Sequence, residues 1–395
     1  MTTGDVFKLR LESIAPGGDA LGRFEGKPVF VEGGAPDETV NCRITEDRKT
    51  WARAELMDII EASPARVESA CAFYGKCGGC NLQHINYDAQ LEAKKAILLD
   101  SFSRIGGLST PELKVFPSPP WEYRNRMQFH SLRKKSLSGG LKAARLESDF
   151  QIGQMGRRSG EIIAVTDCSV AVPTIRKLLR GKEALRIPPE KDRFTVFSKD
   201  EVFFSEGEEP KGKIHLLGKE LFLDTSLFFQ SNCLILEKLI LELRVIAERA
   251  DQNLPMADLY CGVGTFAFFL GDIFPKAVLA EENKAAVSLA RENLEGCSAE
   301  FFALRDTCWQ KTLLAGKVAF GFAVVDPPRA GLAPKLSAAL SRDGPPLLAY
   351  VSCDAASAAR DAKILTSGIY KLKELMLFDF YPQTAHIESL AVFEK

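Results

Sequence analysis

The residues best suited to chemistry stand at the ends of two short apolar runs. The run that begins at Ala349 delivers Cys353, and the run that begins at Val324 ends in Asp326. Both runs predict strands of a parallel sheet, whose carboxyl ends face one crevice where open α/β sheets bind ligands. Most cysteines are buried and act as small apolar residues, but a thiol at a strand end is a candidate nucleophile.

A carboxylate and an imidazole precede the last apolar run of the chain, at Glu388 and His386. A carboxylate near a nucleophilic thiol suits a reaction that adds the thiol, alkylates a carbon and then removes a proton. We therefore expect Glu388 to act as the base and His386 to be a structural or orienting residue.

A glycine-rich turn around Gly262 follows a predicted strand and leads into a helix. Glycines allow a tight turn and a close approach of the backbone to a ligand. The next strand, predicted over 277–280, delivers Glu281, an acid placed to accept both ribose hydroxyls of an adenosine, with Glu282 as the alternative. Together with Asp326, this pattern favours S-adenosylmethionine (SAM) over a nicotinamide cofactor.

Three cysteines form a tight cluster in the first quarter of the chain. Two glycines separate Cys77 from Cys80, and Cys71 lies just before them, so the three thiols can converge on one centre. Cys168 is the best candidate for a fourth ligand, and His84 is the alternative. Four thiolates suit both tetrahedral zinc and a four-iron cluster, so the spacing leaves both open.

Composition bounds the class of protein. The chain has 395 residues, 46% of them hydrophobic and 26% charged, which suffices for two or three domains with their own cores. No apolar run approaches the roughly twenty residues of a membrane span, and the first residues lack the core of a signal peptide. We expect a cytoplasmic protein with no membrane partner and no evident obligate protein partner. Its ten cysteines then indicate metal binding or catalysis rather than disulfides.

The charge pattern restricts how a nucleic acid is bound. The formal net charge is −1, so local basic surface must hold any such partner. Positive residues concentrate in the middle third, at Arg124 and Arg126, over 133–135, and at Arg157 and Arg158. A solvated face is the alternative for each of these clusters.

The first two thirds of the chain predict two parts. Residues 1–62 alternate short strands with glycine and proline turns, which predicts a small five-strand β-barrel. Residues 63–222 predict an α+β part that contains the cysteine cluster, an amphipathic helix over 88–105 and an antiparallel sheet. A strand over 123–129 of that sheet would place two arginines on one face, available to RNA.

Residues 223–395 predict an α/β domain. Gln230 stands beside two phenylalanines at the start of a helix that runs to about residue 248, and its polar side chain marks it as a candidate ligand contact. Strands and helices then alternate in the Rossmann-like manner, which predicts a sheet with a ligand crevice at its strand ends.

Several motifs together resemble the RNA uracil-5 methyltransferases. They are DLYCGVGTF at 258–266, VDPPRAG at 325–331, the VSC that ends at Cys353, and TAHIESL at 384–390. The barrel segment, with GGDALGR and the turns after it, resembles the TRAM domain, a small RNA-binding barrel. This barrel and the cysteine cluster match the ribosomal branch of the family, whereas Asp354 and the following alanine replace the asparagine and proline usual there.

The resemblance implies a fold, a reaction and a set of site residues. The C-terminal part is expected to be a class I methyltransferase domain, with the barrel and middle sheet holding RNA and the target base flipped into the crevice. Cys353 is expected to add to uracil C6, and Glu388 to remove the C5 proton after methylation. The positions implied for SAM are Gln230, Tyr260, Gly262, Glu281 and Asp326, and those implied for a [4Fe-4S] cluster, favoured over zinc, are Cys71, Cys77, Cys80 and Cys168.

The resemblance favours 23S ribosomal RNA as substrate, and transfer RNA is the alternative. Two other functions remain open. A cytosine-5 methyltransferase shares thiol addition at C6, but the motif at 384–390 favours uracil. An RNA-binding protein with an inactive methyltransferase fold is disfavoured by the joint presence of Cys353, Glu281, Asp326 and Glu388.

Overall fold

A computed structural model describes residues 1–133, 150–181, 192–206, 209–312 and 319–395. Lys134 and Lys135, predicted as part of a basic cluster, lie outside these ranges. No helix within them has the length and apolar character that crossing a bilayer requires.

The first five strands close into the predicted barrel. They are β1 Val6–Ile14, β2 Ala20–Phe24, β3 Lys27–Glu32, β4 Thr39–Asp47 and β5 Ala52–Glu61. Their order around the barrel is β1-β2-β3-β5-β4, and only the β3–β5 pair is parallel. Alternate residues such as Leu9 and Leu11 are buried, because successive side chains of a strand face opposite sides.

The middle part contains the predicted antiparallel sheet. Its elements are α1 Tyr87–Ser101, β6 Leu113–Phe116, β7 Arg126–Arg133, β8 Phe150–Met155, β9 Ile162–Ala164, α2 Pro173–Arg180, β10 Arg193–Lys199 and β11 Val202–Ser205. The sheet order is β11-β10-β7-β8-β9. The helix predicted over 88–105 is α1 continued by a wider helical turn, Phe102–Gly106, which ends at Gly107.

The strand predicted from Tyr123 begins three residues later, at Arg126, and this corrects the prediction that two arginines share its face. Tyr123 is buried and donates a hydrogen bond to the carbonyl of Pro382 at 2.8 Å, which draws this segment away from the sheet. Arg124 instead pairs with Ala171 in an isolated bridge. Arg126 donates to the carbonyl of Leu227 at 3.1 Å, so it does not offer an exposed RNA contact.

Arg157 and Arg158 join the middle part to the barrel. Arg158 forms salt bridges with Asp19 at 2.7 Å and with Glu32 at 2.6 Å, and Arg157 also contacts Glu32. The prediction of a basic patch at this pair is therefore wrong. Its acidic partners lie more than a hundred residues earlier in the chain, where a count of local charge does not find them.

The last part forms the predicted α/β domain around an eight-stranded sheet. Its elements are β12 Lys211–Leu216, β13 Lys219–Asp224, α3 Cys233–Ala247, β14 Met256–Leu259, α4 Thr265–Leu270, β15 Ala277–Glu281, α5 Lys284–Asn293, β16 Ala299–Ala303, α6 Asp306–Thr312, β17 Phe322–Val325, α7 Pro334–Asp343, β18 Leu347–Ser352, α8 Ala355–Thr366, β19 Lys371–Phe378 and β20 Glu388–Glu394. Strands β12 and β13 form a separate hairpin.

The eight strands run in the order β16-β15-β14-β17-β18-β20-β19-β6. The first five are parallel, whereas β20 lies antiparallel between β18 and β19. Strand β6, from the middle part of the chain, completes the edge by pairing in parallel with β19. The middle part therefore contributes a strand to the sheet that carries the candidate site.

Helices cover both faces of this sheet, as its continuous apolar strands require. Val324 of β17 packs in the cluster that contains α3, α4 and α5, and its neighbour Val325 packs in the cluster that contains α7, α8 and α1. The buried stripe of α3 is the predicted one, and the helix begins after Asn232, whose side chain accepts a hydrogen bond from the Ile235 amide.

Candidate active site

The parallel strands end at a crevice of about 650 Å³. This is the place that the strand-end rule predicts for a ligand. Every residue that the sequence suggested for catalysis or cofactor binding lines it, namely Gln230, Tyr260, Gly262, Glu281, Asp326, Cys353 and Glu388.

Strand pairing brings Cys353 beside Glu388. The antiparallel register of β18 and β20 pairs Ser352 with Ser389. Continuing this register by one position brings Cys353, which directly follows β18, toward Glu388, the first residue of β20, and both line the crevice. Burial, followed by the charges of Glu388 and Asp326, raises the pKa of the Cys353 thiol to about 11. The thiol is therefore protonated at neutral pH in the free protein and must lose its proton to react.

Glu388 and Asp326 form a pair of acidic side chains deep in the crevice. Burial raises the pKa of both carboxyls, and the charge of Asp326 raises that of Glu388 further, while Arg329 opposes this shift. Two neighbouring carboxylates are hard to ionise together in a medium of low polarity. A cation bound beside them would favour the ionised forms.

Glu281 contacts the glycine-rich turn, and its neighbour does not. One oxygen of Glu281 accepts the Gly262 amide at 3.2 Å, and the other accepts the Asn283 amide at 2.8 Å. Glu282 is exposed and forms a salt bridge with Arg305 at 3.2 Å. The geometry thus favours Glu281 over its alternative as an acid that faces a ligand at the turn.

A second buried acid supports the same turn. Asp258 accepts the Ala267 amide at 2.9 Å through one oxygen, whereas its other oxygen has no partner among the described residues. Burial raises the pKa of Asp258 to about 7. Asp258 therefore supports the start of α4 from below the turn, and it does not itself line the crevice.

Tyr260 forms a wall of the crevice with two residues that sequence reasoning missed. Its hydroxyl donates to Asp306 at 3.0 Å, and its ring packs edge-to-face on Trp309 with 4.5 Å between centroids. The backbone of Tyr260 has φ of +62°, an unusual value for a non-glycine residue. Asp306 follows β16 closely, so the strand-end argument used for Glu281 extends to it.

His386 is held as a neutral side chain. Although the residue is exposed at the edge of the crevice, partial desolvation and the nearby Arg329 lower its pKa. The imidazole Nδ1 lies 3.5 Å from an Arg329 guanidinium nitrogen, and the ring packs edge-to-face on Tyr381. These surroundings suit an orienting residue, as the sequence suggested, better than a base.

Asp354, the departure from the family pattern, is the N-cap of α8. Its side chain accepts the Ser357 amide at 2.7 Å. Asparagine offers the same acceptor at this position, so the substitution preserves the turn that follows Cys353.

The four predicted cysteine ligands line a single small cavity of about 30 Å³. The Gly79 amide points toward the Cys77 sulfur at 3.4 Å. Burial raises the pKa of the Cys77, Cys80 and Cys168 thiols, and Arg124 acts in the opposite direction on each. Within the described ranges, no three or more Cys, His, Asp or Glu side chains are grouped as ligands of a metal ion.

His84, the alternative fourth ligand, has other partners. One ring nitrogen contacts the hydroxyl of Tyr74, and the other lies 2.8 Å from the carbonyl oxygen of Gly34 in the barrel. His84 is also not among the residues that line the cysteine cavity. The geometry therefore favours Cys168.

Arg124 lies between the two cavities and lines both. On one side stand the four cysteines, and on the other stand Cys353 and Glu388. The charge pattern suggested an RNA contact on an exposed strand, whereas the side chain forms part of the wall that separates the cysteines from the crevice.

Comparisons with known proteins agree with this architecture. The profile of the tRNA (uracil-5-)-methyltransferase family matches residues 214–395, and that of the TRAM domain matches residues 1–57. An uncharacterized RNA methyltransferase of Treponema denticola is 34% identical over 94% of this chain and 94% of its own. The 23S rRNA (uracil(1939)-C(5))-methyltransferase RlmD of Pseudomonas putida is 30% identical over 99% of this chain and 94% of its own.

The crystal structure of the Pyrococcus abyssi tRNA (uracil-54, C5)-methyltransferase in complex with S-adenosyl-L-homocysteine has the same fold. It superposes with a TM-score of 0.72 over 98% of this chain and 100% of its own, at 24% identity. The fold is thus that of a SAM-dependent methyltransferase with an N-terminal TRAM domain. The chain belongs to the RNA uracil-5-methyltransferase family.

Proposed function

We propose that this protein methylates C5 of a uridine in 23S ribosomal RNA, with Cys353 as nucleophile and Glu388 as base. The observation that carries the proposal is the β18–β20 register, which brings these two residues together in one crevice. Glu281 and Asp326 at neighbouring strand ends, and membership of the family, support the same reaction.

The reaction follows from the weakness of uracil C5 as a nucleophile. The Cys353 thiol loses its proton to solvent and, as thiolate, adds to C6, and the electron pair of the C5–C6 double bond moves onto C5 and O4. SAM supplies the methyl group to which C5 then bonds. Glu388, as carboxylate, accepts the C5 proton, and the electrons of that C–H bond restore the double bond as the C6–S bond breaks.

Two cations in the crevice assist the thiol. Arg329 lowers the pKa of Cys353 against the effect of burial. Arg124 lines the same crevice, and we infer that its positive charge stabilises O4 as it becomes negative. Preorganised charge of this kind stabilises an oxyanion because it needs no rearrangement during the reaction.

The acidic side of the crevice fits SAM. We assign Glu281 to the ribose hydroxyls, the Gly262 turn and Tyr260 to the walls of the site, and Gln230 to its polar edge. Asp326 would face the sulfonium, whose positive charge offsets the cost of ionising two neighbouring carboxyls.

We assign Cys71, Cys77, Cys80 and Cys168 to a [4Fe-4S] cluster with a structural role. Four soft donors around one cavity, with the Arg124 cation beside them, suit an anionic iron-sulfur centre. The reaction itself needs no electron.

RNA would approach the crevice from the barrel and the exposed Phe228. This phenylalanine lines the crevice and is 65% exposed, so its ring is free to stack on a base. A uridine inside folded RNA must leave its stack before Cys353 reaches C6. The family match to ribosomal enzymes over nearly the whole chain favours 23S rRNA, and transfer RNA is the alternative.

The test is methylation of defined RNA by anaerobically purified protein. Transcripts of 23S rRNA and tRNA are incubated with isotope-labelled SAM, and the nucleosides are identified by mass spectrometry. Labelled 5-methyluridine in 23S rRNA is the expected product. Label in tRNA alone would transfer the assignment to tRNA, 5-methylcytidine would indicate the cytosine reaction, and absence of SAM binding by calorimetry would indicate an inactive RNA-binding protein.

A further inference from the structure

The segment that joins β19 to β20, residues 379–387, leads directly to Glu388. It belongs to no helix or strand, and Gln383 adopts a left-handed φ of +68°. Gln383 and Thr384 are nevertheless buried. Because the segment has no strand pairing to hold its backbone, its position depends on hydrogen bonds to the groups around it.

Several of those groups belong to the stretch just after the cysteine cluster. The backbone amides of Asn81 and Leu82 donate to the Gln383 carbonyl at 3.1 and 3.0 Å. The Ala385 amide donates to the Asn81 side-chain oxygen at 2.9 Å. Gln90 and Gln383 exchange two further hydrogen bonds, at 2.9 and 3.0 Å.

The start of the segment is held by α1. Lys94 and Asp379 form a buried ion pair at 2.6 Å, and Lys94 also donates to the Tyr381 carbonyl at 3.0 Å. Tyr87 donates to the second Asp379 oxygen at 2.8 Å. One end of the segment is therefore fixed by a helix, while the end nearer Glu388 is fixed through Asn81.

Asn81 also contacts the barrel. Its side-chain nitrogen donates to the Gly17 carbonyl at 2.7 Å, in the turn between β1 and β2. The next residue, Gly18, has no room for a side chain, because a Cβ there would lie 2.5 Å from that nitrogen and 3.1 Å from the Ala385 Cβ. Asn81 follows Cys80 directly, so the barrel, the cysteine cluster and the catalytic segment meet at one side chain.

We propose that Asn81 is a positioning residue that holds the approach to Glu388 in place when the barrel and the cysteine cluster are correctly folded. Its carboxamide is suited to this junction, because one group both accepts from Ala385 and donates to Gly17. The part of this inference that concerns Glu388 as base rests on the proposed function, whereas the holding contacts do not.

If Asn81 holds the segment, thiol addition and removal of the C5 proton should respond differently to the loss of its side chain. Cys353 directly follows β18, a central strand, whereas Glu388 begins β20 directly after the segment that Asn81 holds. Loosening the segment should leave thiol addition largely intact and slow the removal of the C5 proton.

The experiment compares Asn81→Ala, which removes both side-chain bonds, with Asn81→Asp, which retains the acceptor for Ala385 and loses the donor to Gly17. Asn253→Ala, at an exposed asparagine whose side chain contacts only Asp251, is the matched control. Hydrogen exchange is measured by mass spectrometry in the intact protein, along with iron content, SAM affinity, adduct formation with 5-fluorouridine RNA and turnover with uridine RNA.

In Asn81→Ala, exchange of peptides that cover 382–388 should accelerate roughly tenfold, since a buried amide loses its acceptor. Turnover with uridine should fall by a similar factor, while the rate of adduct formation and SAM affinity change less than about twofold. Asn81→Asp should accelerate exchange mainly in the turn at Gly17.

Unchanged exchange over 382–388 in Asn81→Ala, or the same behaviour in Asn253→Ala, would overturn the proposal. If Asn81→Ala loses its iron or fails to fold, Asn81→Asp decides: faster exchange at Gly17 with protection kept at Ala385 supports the junction, and uniform exchange contradicts it. Wild-type protein that shows the exchange pattern but makes no 5-methyluridine would refute the proposed function alone.

Discussion

The thiol of Cys353 and the thiols of the cysteine cavity differ in the charged groups around them, although burial raises the pKa in both places. Next to Cys353 the carboxylates of Glu388 and Asp326 raise the pKa further. In the cavity, neighbouring thiols raise the pKa of Cys77, Cys80 and Cys168 further, and Arg124 acts in the opposite direction on each.

The difference matches two uses of sulfur. The proposed nucleophile needs a base nearby to take its proton, and the crevice supplies carboxylates that can take it and pass it to solvent. The proposed metal ligands would be thiolates, which a fixed cation such as Arg124 would stabilise. In this account, Arg124 lies between the thiol proposed to react and the thiols proposed to hold a cluster.

The largest effect should come from removing the base. In Glu388→Gln, 5-methyluridine formation should fall by about a hundredfold to ten-thousandfold, because the C5 proton loses its acceptor. The methylated adduct should accumulate with ordinary uridine and appear as a protein–RNA band on a denaturing gel. Glu295→Gln, at an exposed acid away from the crevice, is the control, and absence of any trapped adduct in Glu388→Gln would contradict the role of base.

Substitution of single cysteines should distinguish the proposed cluster ligands from the proposed nucleophile. Cys80→Ala should lose iron, measured by elemental analysis after anaerobic purification, because one ligand of the centre is removed. Cys353→Ala and the exposed Cys297→Ala should keep it. The cluster assignment fails if wild-type protein contains neither iron nor zinc, or if Cys80→Ala retains the full metal content.

The acid pair of the crevice predicts how SAM affinity depends on pH. Burial raises the pKa of Asp326, so this carboxyl becomes protonated at a higher pH than an exposed aspartate. Protonation removes its attraction for the sulfonium, and the affinity should therefore fall as pH is lowered through the raised pKa, by at most about tenfold per pH unit for one proton. Calorimetry over a pH series measures this, and Asp326→Asn should flatten the dependence; an affinity that rises toward acid pH would contradict it.

The smallest effect concerns the helix cap beside the nucleophile. Asp354→Ala should lower the free energy of unfolding by about 1 kcal/mol, because the Ser357 amide loses its acceptor. Asp354→Asn should be nearly neutral in the same urea titration. Equal losses in both variants would show that the charge, rather than the cap, is what matters at this position.

Local sequence patterns were sufficient to locate candidate site residues that directly follow a predicted strand. Cys353, Asp326 and Glu281 were predicted because each follows a short apolar run, and parallel strands end at a common edge. The barrel was predictable for a similar reason, since its turns and alternating strands are local signals. These parts of the fold and site need no knowledge of distant contacts.

Long-range pairing explains what could not be predicted. The place of β20 between β18 and β19, which sets Glu388 beside Cys353, depends on strands that are not neighbours in sequence. The ion pairs of Arg158 and the bonds of Asn81 join residues that are more than sixty positions apart. The identity of a residue gives the charge and the hydrogen-bonding groups of its side chain, but it does not give the partner that the side chain contacts in the fold.

The most direct measurement of the central claim is covalent trapping on RNA that contains 5-fluorouridine. Its C5 fluorine cannot leave as a proton, so the adduct formed by Cys353 cannot be resolved after methyl transfer. Wild-type protein with SAM should form a stable protein–RNA complex, and mass spectrometry should locate the bond at Cys353. A complex that persists in Cys353→Ala would contradict the assignment of this thiol as the nucleophile.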